Sequence, residues 1–128
     1  DLMVRKLMGE GGRIFALTSA GGSKVWPNYG AVSAAKAALE SHIRQLALEL
    51  APAGVTANAI MAGVTNTPAL QKIPGSTEML ERALQKNPSR RLTTPEDVAR
   101  ALGVLSHRKT QWMTGNVIAI DGGEFIVG

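Results

Sequence analysis

The sequence contains no cysteine and few aromatic residues: two tryptophans, two phenylalanines and one tyrosine in 128 residues. Without cysteine, disulfides and thiolate metal sites are excluded, and a reducing cytoplasm is the expected location. The few aromatics do not alternate with basic residues, which argues against nucleic-acid binding although the net charge is +4. No apolar run approaches the roughly 18 residues of a membrane span. No signal peptide is recognisable, so no membrane partner is expected.

A glycine-rich phosphate loop after a strand is also lacking. Gly9, Gly11 and Gly12 precede the first predicted strand, so they do not form such a loop. The hydrophobic pattern predicts strand, helix, strand, helices, strand, with near-continuous apolar strands that are typical of a buried parallel sheet. The predicted elements are a helix tail at Asp1–Met8, strands at 13–19, 55–61 and 116–121, and helices from about Asn28 or Ala31, at 77–85 and after Thr94.

The most informative stretch runs from Ser19 to Lys36. Tyr29 is the only tyrosine, and Lys36 follows it by about two helical turns, so both side chains can share one helix face. An ammonium group beside a phenol favours the phenolate and makes the pair a proton donor. Ser19, at the end of the first strand, can add a hydrogen bond. The alternative is an ordinary helix start with a solvated lysine.

A second loop points to the same place in the fold. The segment Gly63–Thr67 follows the second predicted strand, as Ser19 ends the first. Ligands of parallel sheets bind at the carboxyl ends of the strands. The sequence therefore predicts one site at this edge of the sheet.

With these elements placed, the chain resembles the C-terminal half of a short-chain dehydrogenase/reductase. The resemblance rests on five segments in the family's order: GGRIFALTS at 11–19, Tyr29 with Lys36, VTANAIMAGVTNT at 55–67, RLTTPEDVARALGVLS at 91–106 and TGNVIAIDGG at 114–123. Most members have three residues between Tyr and Lys, and this chain has six, with Val32 at the usual Tyr position. The six-residue gap is similar to that of enoyl-acyl carrier protein reductases. Ser19, where the commoner type has a second Tyr, and Ala62-Gly63, in place of the usual Pro-Gly, resemble the NADPH-dependent type III enzymes.

This resemblance implies an α/β fold, the C-terminal half of a doubly wound Rossmann-like parallel sheet with three strands and flanking helices. Residues 1–128 are then the C-terminal part of a single reductase domain whose N-terminal nucleotide-binding half is absent. The implied activity is NAD(P)H-dependent reduction of the 2,3 double bond of enoyl thioesters on acyl carrier protein, in fatty-acid biosynthesis. The full-length protein is expected to be a homotetramer in the cytoplasm, and the isolated fragment to be inactive.

The resemblance also implies the roles of individual residues. Tyr29, Lys36 and Ser19 correspond to catalytic residues. The residues that correspond to contacts of the cofactor, NADPH with NADH not excluded, are Lys36, Gly63, Thr65 and Thr67. No metal site is expected, because His42 and His107 have no further ligand at metal spacing.

Several alternatives stay open. The protein could be another reductase of this family that acts on a ketone or enone, or a fragment that only assembles. Ser19 could simply end the strand, and Thr67 could be a helix cap before Pro68. The basic residues of the segment 72–91 could be a solvated face or a docking face for an acidic carrier protein: Lys72, Arg82, Lys86, Arg90 and Arg91.

Overall fold

The computed structural model describes Met8 and residues 11–128. The described elements are strands β1 (Arg13–Ser19), β2 (Thr56–Ala62) and β3 (Val117–Ile120), and helices α1 (Gly30–Leu50), α2 (Pro68–Gln71), α3 (Ser76–Lys86) and α4 (Pro95–Leu105). Short 3₁₀ turns follow β1, α1, α4 and β3 at Ala20–Gly22, Ala51–Ala53, Arg108–Thr110 and Glu124–Ile126. The predicted strands and longer helices are confirmed to within about two residues. The predicted helix tail lies outside the described residues except for Met8, which is in a bend.

The three strands form one parallel sheet in the order β1-β2-β3. This confirms the predicted α/β class with flanking helices. The register places Ser19 beside Ala62, and Ala62 beside Ile120, so the carboxyl ends of the strands form one edge. The loops that follow Ser19, Ala62 and Ile120 therefore start side by side.

Helix α1 covers one face of the sheet. Its side chains Ile43 and Ala47 are buried against Ala57 and Ala59 of β2. Residues two apart on a strand face the same side, and alanine at both positions lets the helix approach closely. This packing fixes α1 on β1 and β2, and so fixes the height of the helix start relative to the carboxyl edge of the sheet.

The outer strands leave apolar side chains exposed. Leu17 on β1 is 54% exposed and Val117 on β3 is 42% exposed, whereas Ile60 of the central strand is fully buried. On α1, Leu48 is 72% exposed. Among the described residues, no helix combines the length and the apolar character that crossing a membrane requires.

Candidate active site

Ser19 ends β1 with its hydroxyl inside the protein. Ser19 Oγ is buried and has no hydrogen-bond partner among the described residues. The next residues, Ala20–Gly22, form a 3₁₀ turn. A Cβ built on Gly21 would lie 3.3 Å from Ser19 Oγ and 2.5 Å from Tyr29 Cε1. The serine hydroxyl and the tyrosine ring therefore both lie against the glycine backbone, and glycine is required there for space.

Tyr29 is the N-cap residue of α1. Its backbone N–H donates to Trp26 O at 3.1 Å, and its carbonyl accepts from Ser33 N at 2.8 Å. Asn28, directly before it, has φ +63°, a left-handed conformation that asparagine tolerates better than most residues. The turn therefore sets where the phenol ring enters the site. The Tyr29 hydroxyl makes no hydrogen bond with any described residue, which leaves it available to a ligand.

Lys36 reaches the end of β1 from the second turn of α1. Its Nζ donates to Leu17 O at 2.9 Å. An ammonium group has three N–H donors, and this bond uses one of them. The remaining donors have no hydrogen-bond partner among the described residues, so they can meet ligand hydroxyls. The structure thus brings Ser19, Tyr29 and Lys36 to the same end of β1, as the sequence predicted.

The loop Gly63–Thr67 starts at the adjacent strand end, but its side chains are used inside the loop. Gly63 N donates to Ile120 O at 3.2 Å, and Thr65 Oγ1 donates to Gly63 O at 2.9 Å. Thr67 Oγ1 accepts from Leu70 N at 3.2 Å and caps α2. The alternative of a helix cap at Thr67 is therefore confirmed. A cofactor role of its hydroxyl stays a prediction.

Gly63 is a glycine for reasons of packing. A Cβ at this position would collide with Thr93 Oγ1 and would lie 3.0 Å from Glu124 Oε2 and 3.1 Å from Asp121 Cα. The absence of a side chain is thus explained without a ligand. The predicted cofactor contact at Gly63 must rest on its backbone.

Glu124 supports this loop from the C-terminal segment. Its Oε2 accepts from Val64 N at 3.1 Å. Burial raises the pKa of the Glu124 carboxyl, and the nearby Asp121 carboxylate adds to the rise, while the Val64 N–H opposes it. Asp121 itself is buried and accepts from Gly123 N at 3.0 Å and Phe125 N at 2.8 Å. These contacts fix the segment on which the Gly63–Thr67 loop rests.

Two grooves lie near these elements. One of about 440 Å³ opens past the end of β3 and contains none of the sequence-predicted site residues; it is lined by Asn87, Ser89, Arg91, Thr93, Asp97, Ala119, Ile120, Asp121, Gly122 and Gly123. The other, of about 410 Å³, lies between Val25–Asn28 and the segment that contains Pro74, Gly75, Glu78 and Arg82. Arg82 stacks over the Trp26 ring, 5.2 Å from its centre. Asn28, which lines the second groove, directly precedes Tyr29 in the sequence, so of the two grooves this one is the more closely connected to the site.

Within the described part of the chain, no three His, Asp or Glu residues are grouped to hold a metal ion.

Sequence reasoning missed Glu40, which accepts a hydrogen bond from Thr18 Oγ1 at 2.6 Å. It also missed the glycines Gly21 and Gly22 of the turn. The available signal was the acid four residues after Lys36, because that spacing places both side chains on one helix face. The partner of Glu40 could not be found this way, since Thr18 is 22 residues distant in sequence.

Comparison with known proteins identifies the family. The family model described as enoyl-(acyl carrier protein) reductase matches residues 2–124. The chain belongs to the enoyl-(acyl carrier protein) reductase family.

Curated relatives of this reductase family cover nearly the whole chain. The NADH-dependent enoyl-acyl-carrier-protein reductase FabI of Synechocystis sp. is 36% identical over 124 residues, which are 97% of this chain and 48% of that protein. The 1-cyclohexenylcarbonyl-CoA reductase of Streptomyces collinus is 35% identical over 125 residues, 95% of this chain and 44% of that protein. The chain therefore spans about half the length of the curated relatives it matches.

Solved structures of enoyl reductases share the fold. The NADH-dependent enzyme of Aquifex aeolicus matches with a TM-score of 0.90 at 36% identity, over 98% of this chain and 50% of that chain. The Bacillus cereus enzyme in complex with NADP+ and indole naphthyridinone matches with a TM-score of 0.91 at 35% identity, over 97% and 48%. The match confirms the Rossmann-like α/β fold.

The finer resemblance to NADPH-dependent type III enzymes finds no support among these relatives. The FabI proteins of Synechocystis, Nostoc and Bacillus subtilis all carry NADH in their names. The sequence argument rested on Ser19, where the commoner type has a second Tyr, and on Ala62-Gly63 in place of the usual Pro-Gly. Residues at these positions do not report the contacts that select one nicotinamide cofactor over the other.

Proposed function

We propose that the protein is an enoyl-acyl carrier protein reductase, which reduces the 2,3 double bond of enoyl thioesters in fatty-acid biosynthesis. Residues 1–128 are, in this proposal, the C-terminal part of a single Rossmann-like domain. The observation that carries the proposal is the arrangement at the end of β1: the phenol of Tyr29, the amine of Lys36 and the unpartnered Ser19 hydroxyl. The family match across residues 2–124 supports the interpretation of this arrangement as a reductase site rather than as an ordinary helix start.

The residues present fit a nicotinamide cofactor. Lys36 Nζ has spent one donor on Leu17 O and retains two for the ribose hydroxyls. The buried Ser19 hydroxyl has no partner in the described chain, so a ligand can complete it. We assign Lys36, Gly63, Thr65 and Thr67 to cofactor contacts, with Gly63 and Thr65 acting through backbone groups. When bound, the cofactor supplies the hydride.

Tyr29 acts on the substrate. Reduction at the β-carbon of an enoyl thioester develops negative charge on the thioester oxygen. The free Tyr29 hydroxyl donates to that oxygen and stabilises the enolate. Lys36 holds its positive charge at the same strand end and favours this donation. Ser19 contributes a further hydrogen bond beside the Tyr29 ring.

An experiment must decide whether the protein uses NADPH or NADH. The resemblance to type III enzymes implies NADPH, whereas the relatives are named as NADH-dependent enzymes. We propose that the full-length protein oxidises one of these with crotonyl-acyl carrier protein faster than with acetoacetyl-acyl carrier protein. Steady-state rates for both cofactors and both thioesters test this. Faster turnover of the acetoacetyl compound would show a ketone reductase and overturn the proposal.

A second candidate is a reductase of enoyl groups on coenzyme A. The relative from Streptomyces collinus is named for such a substrate and is 35% identical. The same Tyr29 and Lys36 chemistry would serve it, because the thioester oxygen is shared. The discriminating measurement is the ratio of kcat/KM for crotonyl-acyl carrier protein to that for crotonyl-CoA and 1-cyclohexenylcarbonyl-CoA.

The acidic carrier would meet the basic residues near α3. Arg82 is already paired with Glu78 at 2.6 Å, and Arg91 with Asp97 at 2.6 Å. Lys72, Lys86 and Arg90 make no ion pair with a described residue, so they are the better candidates for a docking face. Exposed surface charge of this kind raises association rates more than affinity.

The family resemblance also leads us to propose a homotetramer that acts in the cytoplasm. Its support is the exposed alanines in the first half of α1, the exposed Leu48 near the end of that helix, and the exposed Val117 on β3. Exposed apolar surface of this kind fits contact with a second copy. A fragment that only assembles would use the same surface, and measured turnover of the full-length protein distinguishes the two.

A further inference from the structure

We infer that Glu40 is a positioning residue that holds the Ala20–Gly22 turn against the ring of Tyr29. The inference rests on the proposed function of the site. Glu40 lies four residues after Lys36 on α1, so the two side chains project from one face of the helix. Neither the formation of helix α1 nor the proposed role of Lys36 requires an acidic residue at position 40.

The carboxylate is bound to the end of β1. Glu40 Oε1 accepts from Thr18 Oγ1 at 2.6 Å, and Thr18 is only 4% exposed. Lys36, one turn earlier, holds the neighbouring residue through Leu17 O at 2.9 Å. Two successive residues of β1 are thus attached to α1, and the next residue is Ser19. A buried hydroxyl needs its partner, so this bond fixes the carboxylate as well as the strand.

The carboxylate also forms a wall for the turn. A Cβ built on Gly22 would collide with Glu40 Oε1 and lie 2.9 Å from Glu40 Cδ. On Gly21 the added Cβ would meet the Tyr29 ring at 2.5 Å. The positive-φ glycines of the described chain do not include Gly21 or Gly22, so both are glycines for space rather than for backbone conformation. The turn lies between the carboxylate of Glu40 on one side and the ring of Tyr29 on the other.

This arrangement makes Glu40 act through other residues. It touches Thr18 and Gly22, and it is those groups that adjoin Ser19 and Gly21. If the carboxylate is withdrawn, the turn can move away from Tyr29, and the ring loses one of its walls. Small misplacement of a reacting group lowers turnover strongly while leaving ligand contacts elsewhere intact.

The test compares two conservative variants of the full-length protein. Glu40→Gln keeps an oxygen at the same reach for the Thr18 hydroxyl. Glu40→Asp keeps the charge but is one methylene shorter, so it withdraws the acceptor. We expect Glu40→Asp to lower kcat by about 10- to 100-fold with little change in KM, and Glu40→Gln to stay within about threefold of wild type. Equal loss in both variants, or no loss in Glu40→Asp, would overturn the inference.

Repeating the Glu40→Asp substitution in a Tyr29→Phe protein distinguishes a positioning role of Glu40 from a general contribution to stability. In a Tyr29→Phe protein, Glu40→Asp should lower the residual kcat little further, because Glu40 acts through the ring position and hydroxyl of Tyr29. A purely structural role would give the same loss in both backgrounds and would contradict the inference. Gln45→Ala serves as the control on the same helix, since it removes only the exposed bond to Glu49.

The Gly22→Ala variant displaces Glu40 without removing it. It should reproduce the loss of kcat seen in Glu40→Asp. Gly103→Ala is its matched control, because a Cβ there meets nothing within 4 Å.

If wild-type protein does not reduce crotonyl thioesters at all, the proposed function fails. If it does and Glu40→Asp matches it, only the inference about Glu40 fails.

Discussion

At the scale of single residues, the site is defined by groups without internal partners. The Tyr29 hydroxyl, two donors of Lys36 and the buried Ser19 Oγ are all free within the described chain. By contrast, the hydroxyls of Thr65 and Thr67 already have partners in their own loop. The groups of Tyr29 and Lys36 therefore have hydrogen-bonding capacity left for a ligand, and the buried Ser19 Oγ has unmet capacity beside them. Thr65 and Thr67 must act through their backbone or by exchanging their bonds.

Replacing Tyr29 by Phe in the full-length protein tests the proton donor. The ring and its contact with Gly21 are kept, so stability should change little. Loss of a hydrogen bond that strengthens in the transition state should lower kcat by about 10²–10³, or roughly 2.7–4 kcal/mol, with a smaller change in KM. The measurement is steady-state reduction of crotonyl thioester.

Two further variants control this result. Lys36→Ala should do more harm, because it weakens cofactor binding as well as turnover. Val32→Phe should keep most of the activity, since Val32 is 38% exposed and has no assigned role. Near-full activity of Tyr29→Phe together with an inactive Lys36→Ala would place the proton donor elsewhere.

Glu124 gives a prediction about pH. Its pKa is raised by burial, so the folded state favours the protonated form. The contribution of this group to stability is fully present below its unfolded pKa of about 4.3 and is lost as pH rises through the raised folded pKa. Glu124→Gln can still accept from Val64 N but does not ionise. Its stability relative to wild type should rise between pH 4 and pH 7, as measured by urea unfolding; a pH-independent difference would contradict this.

At the scale of elements, α4 shows how local sequence fixes a helix start. Thr94 Oγ1 accepts from Asp97 N at 3.3 Å, and Asp97 Oδ2 accepts from Thr94 N at 3.0 Å, a reciprocal capping box. Pro95 occupies the first helical position. Arg91 adds two bonds to Asp97, at 2.6 Å and 3.0 Å. The cap and the start of α4 were predicted from sequence because every group involved lies within seven residues.

The cap predicts a pH dependence of opposite sign to that of Glu124. The guanidinium of Arg91, and next the Thr94 N–H, hold the pKa of the Asp97 carboxyl well below its usual range. Its stabilisation is present above the unfolded pKa of about 3.9 and is lost as pH falls through the lowered folded pKa. Asp97→Asn should therefore destabilise the protein at pH 7, and the difference should shrink below about pH 4. Urea unfolding of this variant beside Glu96→Gln measures it; a gap that stays constant with pH would count against the assignment.

A comparison of two glycines distinguishes the effect of helix propensity on stability from the effect of backbone conformation. Gly103 in α4 and Gly75 before α3 both have free space around an added Cβ, but Gly75 has φ +82°. Gly103→Ala should raise the free energy of unfolding by about 0.5–1 kcal/mol, because glycine loses more entropy in a helix. Gly75→Ala should lower it by about 1–2 kcal/mol. Thermal unfolding of the pair measures both, and equal shifts would refute the argument.

At the scale of the whole molecule, the described sheet has two open edges. β1 and β3 each pair with β2 alone, and both expose an apolar side chain, Leu17 and Val117. The site lies beside one of these edges.

This arrangement predicts how the 128-residue chain behaves when produced alone. It should bind neither NADH nor NADPH measurably, because the pyrophosphate of such cofactors is held by a glycine-rich turn at a helix start, and no such motif follows a strand in this sequence. Fluorescence titration, with the full-length protein as control and circular dichroism to verify folding, measures this. Enhancement of cofactor fluorescence by the isolated chain would show that the 128 residues suffice.

The sequence by itself determined the strands, the long helices, the α4 cap and the order of Ser19, Tyr29 and Lys36. These features depend on periodicity, local capping and short spacings, which are written in neighbouring residues. Only the tertiary structure decided that Glu40 binds Thr18, that the turn at Gly21 and Gly22 lies between two side chains, and that Gly63 is small because of Thr93. Each of these depends on the packing of α1 or the C-terminal segment against the sheet edge. Such packing brings Thr18 and Glu40, which are 22 residues apart, into contact, and no local pattern encodes it.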